Sequence, residues 1–124
     1  MIIGIGTDLV EIARIKSALQ RHGDRLARRI LTPGELERYF EHGKKAHYLA
    51  ARFAAKEAAS KALQSGIGVI SWQDISVSNT SAGAPRLQLS GNARDLMLGL
   101  GARQTFLSLS DERNYALAFV VLSV

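Results

Sequence analysis

The sequence predicts an α+β fold, with helices mostly in the first half and antiparallel strands mostly in the second. Apolar residues recur with helical spacing up to about residue 64, whereas apolar and polar residues alternate, as in strands, from residue 75 onward. The 124 residues suit a single domain (1–124), because no repeat, linker or low-complexity tract divides them. A hydrophobic share of 47% and a charged share of 22% are typical of a folded globular chain.

The first predicted element is a short buried strand over residues 2–7. Gly4 and Gly6 within it predict that another backbone or a ligand comes close, since glycine leaves no side chain in the way. Asp8 follows, and with Glu11 three residues later it forms a pattern like a capping box, which favours Asp8 as a helix N-cap. Asp8 also suits a cation site, because a carboxylate beside small residues leaves room for a hard metal ion.

Helical periodicity then runs over residues 9–31, with a break expected at Gly23. One face of this stretch is apolar, and four arginines lie nearly opposite it. The apolar residues are Ile12, Ile15, Leu19, Leu26 and Ile30, and the arginines are Arg14, Arg21, Arg25 and Arg28. A further helix is predicted to begin with Thr32 as N-cap, Pro33 at the first position and Glu35 completing a capping box, and to reach about Glu41.

A long alanine-rich helix is predicted over residues 46–64, with Gly66 and Gly68 beyond its end. Its small side chains allow neighbouring elements to approach closely. The remaining predicted elements are strands over 75–78 and 87–89, a helix over 92–100, and strands over 104–110 and 115–124.

A second carboxylate of interest, Glu57, lies on the long helix. It faces the same side as Phe53, where a carboxylate costs free energy unless a charge compensates it. Lys61 follows four residues later, at the spacing of a helical Glu–Lys contact. The residues leave two interpretations open: an ordinary surface salt bridge, or a metal-ligating carboxylate with a lysine beside it.

Positive charge is concentrated in the first half of the chain. The net charge is +5, and residues 1–62 contain twelve Lys or Arg against seven Asp or Glu, whereas residues 63–124 contain four of each. Such a charge distribution favours an acidic partner. The alternatives are a nucleic acid, an anionic small molecule and an acidic protein. A non-catalytic basic nucleic-acid-binding module is therefore the alternative function, although it does not explain Asp8 and Glu57 and has few aromatic residues for stacking bases.

Several classes are excluded by what the sequence lacks. It has no cysteine, which excludes disulfides, thiolate zinc sites and a thiol nucleophile, and its three histidines show no metal-ligand spacing. No apolar run approaches the roughly 20 residues of a membrane span. The N-terminal residues lack the basic and apolar regions of a signal peptide. We therefore expect a cytoplasmic protein with no membrane contact.

Two motifs resemble the signatures of a known family. The segment Gly4–Ile12 (GIGTDLVEI) resembles the opening signature of 4′-phosphopantetheinyl transferases, and Arg52–Ala62 (RFAAKEAASKA) resembles the second signature. The similarity continues through Gly83–Arg86 and Ser108–Ala116, so it spans nearly the whole chain in order. The resemblance implies a 4′-phosphopantetheinyl transferase-like fold and the small type of this family.

The resemblance also implies an activity. Small members transfer 4′-phosphopantetheine from coenzyme A to a serine of apo-acyl carrier protein, in support of fatty acid biosynthesis, and release adenosine 3′,5′-bisphosphate. By similarity, Asp8 and Glu57 hold Mg²⁺, and Glu57 and Lys61 are the catalytic groups. The general base stays open between Glu57, acting through a water, and a metal-bound water. The positions implied for coenzyme A are Arg52, Ser60, Gly83 and Pro85.

The family further implies partners. Its small members are homotrimers with active sites between subunits, and acyl carrier protein is small, helical and acidic. We therefore expect the arginine stripe (Arg14, Arg21, Arg25 and Arg28) to bind the carrier. Two positions depart from the family pattern: Phe106 stands where many members have His, and Ala84 where many have Lys. Neither belongs to the predicted metal pair, so they bear on affinity for coenzyme A and not on the reaction type.

Overall fold

The computed structural model describes residues 1–124 and contains five strands and five α-helices. The α+β prediction is confirmed. The strands are β1 (Ile2–Glu11), β2 (Ile75–Asn79), β3 (Pro85–Leu89), β4 (Gln104–Asp111) and β5 (Tyr115–Ser123). The helices are α1 (Ile12–His22), α2 (Asp24–Ile30), α3 (Pro33–Glu41), α4 (Lys45–Ala62) and α5 (Gly91–Gly99). None of them has the length and apolar character needed to cross a membrane.

The strands form two antiparallel sheets. One has three strands in the order β1-β5-β4, and the other is the hairpin β2-β3. The Thr105 hydroxyl of β4 donates to the carbonyl of Leu87 in β3 at 2.7 Å, which joins the two sheets side by side. Helix α4 packs across one face of the three-stranded sheet, and 28 buried apolar residues form the core around it.

The two glycines of β1 allow strand and helix to meet backbone to backbone. A Cβ atom added to Gly4 would overlap the carbonyl oxygen of Ala62, and one added to Gly6 would overlap that of Ala58. Both alanines are fully buried in α4. The predicted close approach at these glycines is therefore confirmed, and the backbone that approaches belongs to α4.

The prediction that Asp8 caps a helix is wrong. Strand β1 continues to Glu11, Asp8 pairs with Ala118 of β5, and α1 begins only at Ile12, without a side-chain cap. The antiparallel ladder with β5 supplies several backbone hydrogen bonds in this segment, whereas a cap supplies one, so pairing with the distant strand overrides the local signal.

The other helix boundaries follow local chemistry more closely. Gly23 separates α1 from α2 with a φ of 62°, as predicted, and the capping box of Thr32 and Glu35 is present at the start of α3. The end of α4 differs from the prediction, because Gln64 adopts a positive φ of 58° and the Ser65 amide donates to the carbonyl of Ser60. The helix therefore ends at Ala62, two residues before the predicted end at residue 64.

The face of the three-stranded sheet that points away from α4 is unusually apolar, and we call it the outer sheet face. Its large exposed residues are Ile5, Leu9, Phe106, Leu117 and Phe119, each at least 41% exposed. The strand register places Ile5 beside Val121 and Phe106 beside Val121, which makes these side chains neighbours across the sheet. A contiguous apolar surface of this kind marks an interaction site.

Candidate active site

Strand β1 and helix α4 bring Asp8, Glu57 and Lys61 together. Gly4, Gly6 and Asp8 alternate along β1, so all three point toward α4. The Lys61 ammonium donates to the carbonyl of Thr7 at 2.8 Å and lies 3.5 Å from Asp8 Oδ1. Lys61 therefore pairs with Asp8 of β1 and not with Glu57 on its own helix. The surface salt bridge between Glu57 and Lys61 that the sequence left open is not formed.

Burial and like charge both disfavour the ionised forms of the two carboxylates in this cluster. Burial raises the pKa of Asp8, and Lys61 only partly opposes the shift. Burial also raises the pKa of Glu57, and the nearby charge of Asp8 raises it further. In addition, Asp8 Oδ2 is buried without a hydrogen-bond partner. These features disfavour two negative charges at the cluster, and a cation bound beside the carboxylates would offset that cost.

The donor set fits a hard divalent ion. Two carboxylates, one with a free buried oxygen, suit Mg²⁺, which binds few protein ligands and completes its octahedron with water and substrate phosphates. No third His, Cys, Asp or Glu side chain joins Asp8 and Glu57. The other ligands of such an ion would therefore come from water, backbone or substrate oxygens.

A second cluster joins α4 to the turn between β2 and β3. Arg52 donates through its guanidinium to Asn79 Oδ1 at 3.2 Å, and Asn79 Nδ2 donates to the carbonyl of Gly83 at 3.1 Å. Pro85 pairs with Asn79 in the β2–β3 ladder. Three of the predicted coenzyme A positions are thus linked through Asn79. Asn79 is not predicted from the sequence, where its only signal is an amide at a strand end before a turn.

Arg52 is held on a second side by an aromatic ring. Its guanidinium carbon lies 4.2 Å from the centroid of Tyr48, whose hydroxyl donates to the carbonyl of Glu35 at 3.2 Å. The Nε atom of Arg52 is buried and has no partner. Beside it is an open cleft of about 480 Å³, lined by Arg38, Glu41, His42, Tyr48, Arg52 and Asn79. The cleft contains two arginines against one acid, which suits an anionic ligand.

Ser60, the fourth predicted coenzyme A position, lies on the inside of the chain. It is 2% exposed, and its hydroxyl donates to the carbonyl of Glu57 at 2.7 Å. The structure therefore does not bring Ser60 into the cleft beside Arg52, and its contact with coenzyme A stays a prediction. The two departures from the family pattern are both exposed: Phe106 on the outer sheet face and Ala84 in the β2–β3 turn.

The four arginines of the predicted partner surface are all exposed. Gly23 divides them between α1 and α2. Arg21 donates to the hydroxyl of Ser17 at 3.1 Å, and the Arg28 guanidinium lies 5.3 Å from the ring centroid of Phe40. Arg28 therefore has an aromatic contact within the chain, whereas the rest of the stripe is a solvated basic surface.

Comparison with known proteins identifies the family. A family model of the 4′-phosphopantetheinyl transferase superfamily matches residues 4–120. The chain belongs to this superfamily. The holo-[acyl-carrier-protein] synthase of Edwardsiella ictaluri is 49% identical over 121 residues, which are 97% of this chain and 96% of that protein. The enzyme of the same name from Halorhodospira halophila is 50% identical over 123 residues, 98% of each chain.

Solved structures of superfamily members have the same fold as this chain. The holo-[acyl-carrier-protein] synthase of Neisseria meningitidis superposes with a TM-score of 0.93 at 41% identity, covering 100% of both chains. That of Helicobacter pylori, solved in complex with coenzyme A, has a TM-score of 0.84 at 37% identity and covers 96% of this chain and 99% of that one. The transferase class predicted from the two motifs is confirmed, and the nucleic-acid-binding alternative is set aside.

Proposed function

We propose that this chain, as a single transferase domain, moves the 4′-phosphopantetheine group from coenzyme A to a serine of apo-acyl carrier protein. The observation that carries the proposal is the cluster of Asp8, Glu57 and Lys61, in which two carboxylates with raised pKa values face one lysine. Relatives at about half identity carry the name of this activity. A structural scaffold or a nucleic-acid-binding module does not need two partly buried carboxylates with raised pKa values beside one lysine.

Asp8 and Glu57 would hold Mg²⁺ in the working enzyme. The ion, when bound, supplies positive charge where negative charge develops on the phosphate oxygens. Asp8 would use its oxygens for this, of which Oδ2 has no other partner and Oδ1 lies 3.5 Å from the Lys61 ammonium. The half-exposed side chain of Lys61 keeps its charge accessible to a substrate phosphate beside the carboxylates.

The reaction needs a proton acceptor as well as charge stabilisation. The serine oxygen forms a bond to the phosphorus that carries pantetheine, the bond from that phosphorus to the bridging oxygen breaks, and adenosine 3′,5′-bisphosphate leaves with the electron pair. The serine proton must go to a base. Glu57 is this chain's candidate to receive it through a water, and Lys61 is placed to neutralise the leaving phosphate.

Coenzyme A binding is assigned to Arg52, Ser60, Gly83 and Pro85, and the linked cluster around Asn79 supports three of them. The two arginines of the adjoining cleft, Arg38 and Arg52, suit the phosphates at the nucleotide end of the substrate. The carrier is assigned to the exposed basic surface of α1 and α2, because a small acidic protein is attracted to such a surface.

A homotrimer is part of the proposal, and the outer sheet face supports it. Large residues such as Phe106 and Phe119 are 54% and 41% exposed in the single chain, and burying them requires a partner surface. Sedimentation of the active protein should give a mass of three chains. A stable monomer with full transfer activity would contradict the assembly without affecting the activity itself.

The activity itself is tested by mass spectrometry of the product. The protein is incubated with coenzyme A, Mg²⁺ and an apo-acyl carrier protein, and the carrier is expected to gain the mass of phosphopantetheine. A carrier whose attachment serine is replaced by alanine serves as control, and chelation of the metal should stop the reaction. An unchanged carrier mass in the complete mixture would contradict the proposed function.

A further inference from the structure

We propose that Asn79 is a positioning residue that holds the Arg52 guanidinium in the orientation needed to bind coenzyme A. The proposal rests on the proposed function, because it concerns the same substrate. Its basis is that both ends of the Asn79 amide are used. The carbonyl oxygen accepts from Arg52 at 3.2 Å, and the amide nitrogen donates to the Gly83 carbonyl at 3.1 Å.

Arginine needs such a restraint because its side chain has many rotamers, and ordering them on binding costs free energy. The Tyr48 ring lies against the guanidinium, 4.2 Å from its central carbon. A ring face restrains the plane of the guanidinium but does not set its rotation within that plane. The hydrogen bond to Asn79 sets this rotation, so that the group is ordered before substrate arrives.

An amide side chain suits position 79, between Arg52 and the Gly83 carbonyl. It presents an acceptor and a donor on one short group, whereas a carboxylate offers no donor to the Gly83 carbonyl and would neutralise the arginine. Asn79 therefore leaves the positive charge of Arg52 available. The cleft beside it also contains Arg38 and His42, with Glu41 as the one acidic side chain, so its charge remains favourable to a phosphate.

The turn does not depend on Asn79 for its shape. Thr80 closes it with three hydrogen bonds of its own: its amide donates to Ala84, its carbonyl accepts from the Gly83 amide, and its hydroxyl accepts from the Ala84 amide, at 2.8, 2.9 and 3.1 Å. Asn79 is also exposed at the end of β2. Removing its side chain should therefore free Arg52 without unfolding the hairpin.

The test is a double-mutant cycle with Asn79→Ala and Arg52→Ala. We expect Asn79→Ala to raise both the KM and the calorimetric Kd for coenzyme A about tenfold, with kcat and the KM for carrier changed less than about twofold. Arg52→Ala should have the larger effect, and the double variant should equal Arg52→Ala alone. Asn92→Ala, the same change at an exposed position in α5, should behave as the unaltered protein.

Two outcomes would overturn the inference: an unchanged Kd for coenzyme A in Asn79→Ala, or effects of the two substitutions that add in full. Thermal unfolding of each variant checks that the fold is retained. If Asn79→Ala does not fold, the neutral and shorter Asn79→Ser takes its place in the cycle with the same criterion. Failure of transfer by the unaltered protein would refute the proposed function, whereas the Kd measurement would still decide the role of Asn79.

Discussion

Two lysines of α4, five positions apart, each meet a carboxylate, and the two pairs have opposite properties. Lys56 and Glu35 lie 2.8 Å apart with side chains 0% and 2% exposed, whereas Lys61 and Asp8 lie 3.5 Å apart with side chains 55% and 17% exposed. The first pair is at the centre of the structure and the second at the candidate active site. The difference separates a structural ion pair from one available for chemistry.

The Lys56 pair is saturated with hydrogen bonds. Its ammonium donates to Glu35 Oε1 at 2.8 Å, to the carbonyl of Ile30 at 2.7 Å and to that of Trp72 at 3.1 Å, which uses all its protons. Glu35 Oε2 accepts from the amide of Val77 at 2.7 Å. Burial lowers the pKa of Lys56, because the loss of water outweighs its attraction to Glu35. The pair ties α2, α3, α4 and β2 together and offers nothing to a ligand.

The Lys61 pair is incomplete by comparison. Asp8 keeps a buried oxygen without a partner, Glu57 stays close to Asp8 despite their like charges, and the pKa values of both carboxylates are raised. Groups left unsatisfied in this way destabilise the chain by itself, and a bound cation or substrate would relieve that cost. Saturation of hydrogen bonds, more than the residue types, distinguishes the two pairs.

The largest effect on stability is expected from Lys56→Met, which leaves Glu35 charged and buried without its partner. The free energy of unfolding should fall by about 3–5 kcal/mol. The matched variant Lys61→Met removes a half-exposed partner and should cost less than about 1 kcal/mol. Denaturant unfolding measures both, and equal losses would show that the two pairs do not differ as described.

The next effect is on catalysis. Asp8→Asn and Glu57→Gln should each lower the transfer rate in Mg²⁺ by about a hundredfold or more. Neither should lower the stability of the metal-free protein, because a carboxylate with a raised folded-state pKa favours its neutral form, which the amide imitates. The control is Asp95→Asn, an exposed carboxylate of α5. Near-normal transfer by either variant at ordinary Mg²⁺ levels would exclude the metal pair.

Gly6→Ala tests whether the close approach of β1 to α4 builds the site. The added Cβ overlaps the carbonyl oxygen of Ala58, so the strand or helix must shift. We expect a loss of about 1–3 kcal/mol in the free energy of unfolding, together with weaker transfer activity. Gly43→Ala, where a Cβ would meet no atom within 4 Å, should leave both unchanged. If Gly6→Ala is destabilised but fully active, the close packing of β1 on α4 is not needed to position the site residues.

The smallest effect is expected at the exposed arginines. Changing Arg14 and Arg21 to Glu should raise the KM for carrier about tenfold at low salt, flatten its salt dependence and leave the KM for coenzyme A unchanged. Salt screens such charges over a Debye length of about 8 Å at physiological ionic strength. Arg94→Glu with Arg103→Glu, equal in charge change and also exposed, should have little effect. Equal behaviour of the two double variants would contradict a specific carrier surface.

Much of the fold, and the residue types of the candidate site, could be predicted from short segments of the sequence. The order and type of the elements, the break at Gly23 and the capping box of Thr32 and Glu35 depend on neighbours within a few residues. The two signature motifs contain Asp8, Glu57 and Lys61, which the structure brings together, although the local pattern at Asp8 indicated a helix cap. Local chemistry fails there because a distant strand competes for the same backbone.

What the sequence by itself determined is therefore the set of elements and the residue types of the site. Only the tertiary structure decided which polar groups find hydrogen-bond partners. Glu35 appeared in the sequence as a capping residue alone, yet its carboxylate also accepts from Lys56 and from Val77, 21 and 42 positions away. Asn79 reaches Arg52 across 27 positions. Hydrogen bonds over such separations depend on how whole elements pack, and no local pattern encodes that arrangement.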